Sequence, residues 1–260
     1  MIINLRGYGK DSGAISGVNS FFDYRYTGDA SFNGNLREDW AITFLNSGTF
    51  TINDLGNTTA IDIFLVGGGA NGGDPYTESD SLYGTGTNYL GGVGGGSGYT
   101  TTIKNLQITT GTYEIVVGGA SEATSAFGHS AEGGNGQTGK RNGGNSVAGG
   151  YKSGGVWYTK TADSGEDGEY AFGESDFVHA LSVGYKFAAS GGGGAGTDGT
   201  TIKGQSGKGG KSGGGAGAGL NSAGGNATAN SGAGGGGAGG KSGTPGKGGS
   251  GIVIIRNARG

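Results

Sequence analysis

The amino-acid sequence predicts a fold that is mostly β and irregular: a small aromatic β unit on the N-terminal side, then a bundle of packed polyglycine II helices. Three observations predict it. Of 260 residues, 69 are glycine and 2 are proline, against an average glycine usage of about 7%. The glycines gather in short runs of similar length, as in 191–196, 213–219 and 232–240, parted by inserts at 197–203 and 220–231. The tract then ends in Gly251-Ile252-Val253-Ile254-Ile255-Arg256, a β-branched run that reads as a buried strand.

A glycine tract has two physical fates. Ordering a residue costs roughly 1–2 kcal/mol of backbone entropy, and glycine loses the most, so a Gly/Ser tract is by default a flexible linker. Against that fate stands the closing strand, which must find partners. The ordered alternative is a set of extended left-handed three-residue helices lying side by side. Such a helix rises about 3.1 Å per residue and has no internal hydrogen bonds, so its N–H and C=O groups must be satisfied by neighbours. Each lateral bond contributes a net of roughly 0.5–1.5 kcal/mol. Alanine and serine among the glycines are expected on outer, less crowded faces. The tract lacks continuous Gly-X-Y spacing, which excludes collagen.

Hydrophobic residues make up 32% of the chain, below the usual ~45–50%, so a conventional core is confined to part of it. A formal net charge of −3 argues against a nucleic-acid or anionic-membrane surface. Lys203, Lys208, Lys211, Lys241 and Lys247 read as solubilising edges. With no cysteine, disulfides and thiolate metal sites are excluded. Met1-Ile2-Ile3-Asn4-Leu5-Arg6 does not open a signal peptide, and no run approaches the ~18 apolar residues of a membrane span. A protein made and soluble in a cytoplasm is expected.

Residues 1–60 carry Phe21, Phe22, Tyr24, Tyr26, Phe32, Trp40, Phe44 and Phe50, enough for a small packed unit. Ala41–Leu45 and Thr49–Ile52 read as strands joined by the Asn46-Ser47-Gly48 turn. Ala60–Val66 is a stronger strand that runs straight into Gly67-Gly68-Gly69. A polar insert at 74–90, with Tyr76, Tyr83 and Tyr89, precedes the glycine run 91–98. Tyr99–Ile103 and Gln107–Val117 read as β structure that again empties into glycine. Residues 120–150 supply further rods. Because strands and glycine runs interleave, one continuous body is expected.

Residues 151–187 differ from both. They hold Tyr151, Trp157, Tyr158, Tyr170, Phe172, Phe177, Tyr185 and Phe187 among the acids Asp163, Glu166, Asp167, Glu169, Glu174 and Asp176. Tyrosine and tryptophan on loops between rigid elements suit recognition, giving large contact area with few rotatable bonds. The alternative is a satellite cluster that pins the loop. Tyr151, Trp157, Tyr158 and Tyr170 are favoured as exposed and the phenylalanines as pins, although Phe172 and His179 also stand among the candidate contact residues.

Gly235 to Ser242 fits the phosphate-binding loop pattern of nucleotide-binding proteins, G-x-x-x-x-G-K-[ST], with Lys241 and Ser242 in place. The mechanism needs a strand before and a helix after, and here a glycine run precedes and Thr244-Pro245-Gly246 follows. His129 and His179 are the only histidines, and no nucleophile pairs with either. Paired acids could serve glycosidase chemistry, but acids in a surface loop are normally just solvated. No catalysis, cofactor or metal is expected.

The order of features resembles the receptor-recognising adhesins at the distal tip of long tail fibres in T-even-like bacteriophages. An aromatic N-terminal unit, Val66-Gly67-Gly68-Gly69, Ile108–Tyr113 running into Val116-Val117-Gly118-Gly119, glycine blocks parted by inserts, and the ending Gly248–Arg256 carry the resemblance over essentially the whole chain. It implies a virion protein, one copy per fibre, whose residues 1–120 are an attachment and β region capping a trimeric distal fibre protein. Phe21, Phe22, Tyr24, Tyr26 and Trp40 would supply part of that docking patch and part of the core. Residues 121–260 would be a layered sandwich of polyglycine II helices whose loops bind a host outer-membrane protein, with a lipopolysaccharide contribution in some members. The receptor loops are expected at 74–90, 120–132, 151–187, 197–203 and 220–231, and a porin-type receptor fits the aromatic and acidic insert. A polysaccharide-binding or polysaccharide-cleaving fibre protein and a purely structural glycine-rod protein are the alternatives.

Overall fold

The computed structural model describes residues 21–36, 39–79, 87–146, 151–153, 156–158, 161–178, 184–196 and 204–258. Strands β1 (Asp23–Tyr26), β2 (Ala30–Gly34), β3 (Trp40–Phe44), β4 (Gly48–Asp54) and β5 (Ala60–Val66) precede the first glycine run. A polar hairpin, β6 (Tyr76–Ser79) and β7 (Thr87–Leu90), separates that run from the second. Then come β8 (Thr100–Gln107), β9 (Gly111–Val116), β10 (Thr124–Ala126) and β11 (His129–Ala131). Two short pairs, β12 (Tyr151–Ser153) with β13 (Val156–Tyr158) and β14 (Glu169–Tyr170) with β15 (Lys186–Phe187), lie in the aromatic insert, and β16 (Ile252–Asn257) follows the last glycine run. The mostly β, irregular class is what the sequence predicts, and no α-helix occurs among the described residues.

Ten of these strands form two five-stranded antiparallel sheets, ordered β1-β4-β9-β10-β11 and β2-β3-β16-β5-β8. Their facing sides enclose Phe22, Tyr24, Tyr26, Trp40, Phe44, Phe50, Ile61, Ile63, Leu65, Val253 and Ile255. Side chains alternate along a strand. Phe64, Val66, Ile252 and Ile254 therefore point out of the opposite face of the second sheet, where they meet Ala171, Phe172, Phe177 and Phe187. Coverage on both faces explains why β5 and β16 read as unbroken apolar runs. Although β16 closes the described chain, it is the sheet's central strand, pairing Ile254 with both Thr43 of β3 and Phe64 of β5.

Asn46-Ser47-Gly48 does follow a strand and lead into one, but β3 and β4 lie in different sheets. The turn is tied down by Asn46, whose Nδ2 donates to Asp29 Oδ2 at 2.8 Å and whose Oδ1 accepts from the Asp29 N–H at 2.6 Å. Held there, the chain crosses between layers instead of folding back on β3.

The glycine runs are hydrogen-bonded rods. In rod 232–240, the N–H groups of Gly234, Gly237 and Gly240 donate to Ala189, Gly192 and Ala195. Those of Gly235 and Ala238 donate to Ala70 and Gly73, and those of Gly236 and Gly239 to Gly225 and Ser222. Its carbonyls accept in the same period of three: Gly234 and Gly237 from Gly215 and Ala218, Gly235 and Ala238 from Gly95 and Gly92, Ala233 and Gly236 from Gly249 and Gly246. Three neighbours take its protons and three others supply protons to it, the hexagonal arrangement open to a three-residue helix with no internal bonds. Rod 188–196 has six neighbours as well, reaching 163–166, 92–95 and 215–218 as donor and 144, 204–210 and 234–240 as acceptor.

Side chains are barred by carbonyls. A Cβ on Gly234, Gly236 or Gly237 would run into the carbonyl oxygen of Gly95, Ala216 or Gly92. The expected outward placement of small residues is corrected here: Ala189, Ala195, Ala233 and Ala238 are buried, as are Ser190 and Ser231. The number of rods around a position sets its burial, and a methyl or hydroxymethyl is tolerated wherever no neighbouring carbonyl aims at the Cβ.

Candidate functional site

Rod length separates the loops into two groups. Residues 67, 98, 232 and 251 stand level with the sandwich, through Gly67 to Tyr99, Gly98 to Gly232 and Gly251 to Gly118. Residues 73, 92, 194, 218 and 238 stand level with one another two turns further out. Connections leaving from that outer level are the β6–β7 hairpin, the β12–β13 hairpin between rods 143–145 and 161–168, and the turns at Leu220–Asn221 and Lys241–Ser242. The loop 120–132, the segments 169–178 and 184–187 and the turns at 211–213 and 228–231 return to the sandwich end, where Asn230 Nδ2 donates to the carbonyls of Leu45 and Gly251 at 2.6 and 3.1 Å.

The far end therefore gathers segments distant in sequence. Tyr76 is 45% exposed, among the most exposed large apolar side chains described, and its backbone pairs with Leu90. Across from it, Lys241 Nζ lies 5.5 Å from the Tyr89 ring centroid, joining the β6–β7 hairpin to the turn after rod 232–240. In β12–β13, Tyr151 is paired with Tyr158 and Lys152 with Trp157. Tyr83 and His179 lie outside the described residues.

The rest of the aromatic insert goes elsewhere. Residues 161–168 are a rod, with Asp163 and Glu166 carbonyls accepting from Gly193 and Ser190. Residues 169–178 and 184–187 fold back over the second sheet. Phe172 is buried, its ring 5.8 Å from Phe64 and 5.2 Å from Phe177. Its role is that of a pin, and so is that of Phe177 and Phe187. Tyr170 is half-buried with Lys186 Nζ 5.3 Å from its ring centroid. Phe22, Tyr24, Tyr26 and Trp40 belong to the sandwich core, with Phe22 stacked on Trp40 at 4.5 Å, and Phe21 is half-buried.

Charge is concentrated where the insert meets the sheet. Arg256 Nε donates to Asp62 Oδ2 at 3.0 Å and Nη1 to Glu174 Oε2 at 2.7 Å, with Asp62 and Arg256 both buried. Burial alone lowers the guanidinium pKa, but its bonds to Glu174 and Asp62 outweigh that and raise it. On the rod surface, the Lys211 backbone N–H, 2.7 Å from Asp167 Oδ1, holds that carboxyl below its ordinary range, aided by the ammonium groups of Lys211 and Lys186. Among the described residues no group of three or more His, Asp or Glu is placed to hold a metal, and no helix is long and apolar enough to cross a membrane.

Sequence reasoning missed Tyr99, 39% exposed beside the sandwich, and the Asp62–Arg256–Glu174 network. It also missed rod 161–168, for which a signal existed. Gly165 and Gly168 are three apart, and so are Gly204, Gly207 and Gly210 in the adjacent rod. A Cβ on each of these except Gly204 is barred by a named carbonyl: Ser190, Phe187, Asp163 and Glu166 respectively. An outer rod needs glycine only once per turn, leaving two positions in three for polar residues. Lys241 and Ser242 of the phosphate-loop pattern form the turn between two rods, with no strand leading into the turn and no helix following it along the chain.

A family model described as a glycine-rich domain matches residues 44–258. Nothing matches among curated proteins or among solved structures.

Proposed function

This chain belongs to the glycine-rich domain family, and on that premise we propose that it is a receptor-recognising adhesin at the tip of a bacteriophage long tail fibre, binding without breaking bonds. The single observation that carries this reading is the division of the loops. Among the described residues, the rod body presents connections from four separated stretches of chain at one end, the β6–β7 hairpin with Tyr76 and Tyr89, the β12–β13 hairpin, and the turns at Leu220–Asn221 and Lys241–Ser242, and keeps the sandwich at the other. A body held by backbone hydrogen bonds makes few demands on loop side chains, so its far end can be varied without rebuilding a core. The sandwich end is the one that docks on a trimeric distal fibre protein, and the far end meets a host outer-membrane protein of porin type, with lipopolysaccharide as an accessory contact.

The test is binding of the purified chain, alone and co-expressed with its fibre partner, to Gram-negative cells with and without individual outer-membrane proteins. Loss of binding with one deletion is the expected result and identifies the receptor. Binding indifferent to every deletion, or none, overturns the reading.

A further inference from the structure

On the flank of the rod body, rods 143–145 and 161–168 run antiparallel, with the Asp163 N–H donating to the Asn145 carbonyl at 3.0 Å. Beside them is a cleft of about 630 Å3 lined by Gln137, Asn142, Asn145, Asp163, Ser164 and Glu166 together with backbone. Its volume falls within the roughly 300–1,000 Å3 range of small-ligand clefts, but those are mostly apolar and this one is polar, with two carboxylates and no cationic side chain in its lining.

A side-chain ladder crosses it. Gln137 Nε2 donates to the Gly143 carbonyl at 2.9 Å and to Asn145 Oδ1 at 2.8 Å, and Asn145 Nδ2 donates to Asp163 Oδ2 at 2.8 Å. Each rung is anchored on ordered backbone: Gln137 in the turn closed by Asn135 and Thr138, Asn145 and Asp163 on rods. Both protons of the Gln137 amide are used. Among the described residues, no hydrogen bond occupies Gln137 Oε1, Asp163 Oδ1, the Asn142 amide or the Glu166 carboxylate.

What remains is a fixed array in which acceptor oxygens outnumber donors. An anionic ligand would face Asp163 and Glu166 uncompensated, whereas a ligand rich in hydroxyl or amino donors pairs with each oxygen. We propose that this cleft binds a neutral or amino-bearing saccharide, as a site separate from the far-end loops. It does not depend on the adhesin reading, since the ladder and the cleft would serve glycan recognition in any extracellular setting.

The experiment applies the fluorescently labelled full-length protein to an array of neutral, amino-sugar, sialylated and phosphorylated oligosaccharides, without cells, so that it succeeds or fails apart from receptor binding. Retention on neutral or amino-sugar spots is expected. Asn145→Ala should lower it at least tenfold and Glu166→Gln severalfold, with the melting temperature unchanged because both side chains are exposed. Tyr76→Ala should leave it intact. No retention on any spot, retention on anionic glycans alone, retention unaffected by both cleft variants, or loss through Tyr76→Ala would each overturn the proposal.

Discussion

Arg256 stands directly opposite Asp62 across the β16–β5 ladder, with Nε 3.0 Å from Oδ2. The guanidinium carbon lies 4.1 Å from the Phe172 ring centroid. Glu174 completes the shell, and the Asn105 N–H donates to Asp62 Oδ1 at 3.0 Å. Strand β16, strand β5 and the 171–178 segment are thereby locked through one cation. Removing it strands a buried carboxylate, so Arg256→Met should destabilise the fold by about 3–5 kcal/mol. Guanidinium unfolding checks this. A loss under about 1 kcal/mol would mean that water reaches Asp62 in the native state.

The rod lattice makes a sharper distinction among glycines than composition does. Gly237→Ala drives a methyl into the Gly92 carbonyl, backbone on a neighbouring rod that cannot rotate away. Overpacking of this kind costs roughly 1–3 kcal/mol. Gly219→Ala meets nothing within 4 Å and should be neutral or slightly stabilising through the reduced freedom of the unfolded chain. Equal melting temperatures for the two variants would contradict hexagonal packing.

The parts of the fold legible in the sequence were those in which one residue type has one physical use. The continuous apolar runs of β5 and β16 announced strands covered on both faces, and the glycine runs announced rods. What stayed hidden was set by distance along the chain. Nothing near Arg256 signals that Glu174 meets it, and Asn46-Ser47-Gly48 reads as a hairpin until its anchor on Asp29 is known. Tyr76 and Tyr170 look alike as insert tyrosines, but rod length carries one to the far end while pairing of β14 with β15 holds the other. The cleft ladder was invisible because Gln137, Asn145 and Asp163 sit in three segments that only rod packing aligns.

Alkaline pH should unfold the sandwich earlier than tyrosine content alone would suggest. Burial pushes the Tyr24 phenol up to about 12, while an unfolded tyrosine ionises near ~10. The native state then holds a proton that the unfolded state has lost. Stability is complete below about pH 10 and falls as pH rises toward 12, by on the order of 2–3 kcal/mol for this group. Phenolate absorbance and circular dichroism followed together should change in one step in that window. Tyr24→Phe should move the step upward, and independent ionisation well before unfolding would show that the ring is accessible.

The proposed recognition at the far end predicts a separation between binding and stability. Tyr76 is exposed, and its side chain is not part of either core cluster, so Tyr76→Ala should leave the melting temperature within a degree or two. An aromatic anchor at an interface is worth about 2 kcal/mol or more, which amounts to a loss of cell binding of roughly thirtyfold. Phe172→Ala should do the opposite. Its ring is packed between Phe64, Phe177 and Arg256, so truncation should cost about 3–5 kcal/mol of stability while the surviving folded fraction binds cells normally. Measuring both variants by thermal melting and by adsorption to host cells sets the two ends against each other. If Tyr76→Ala binds like the parent and Phe172→Ala, corrected for its folded fraction, does not, the receptor surface lies on the segment over sheet two, and the rods hold loops that do something else.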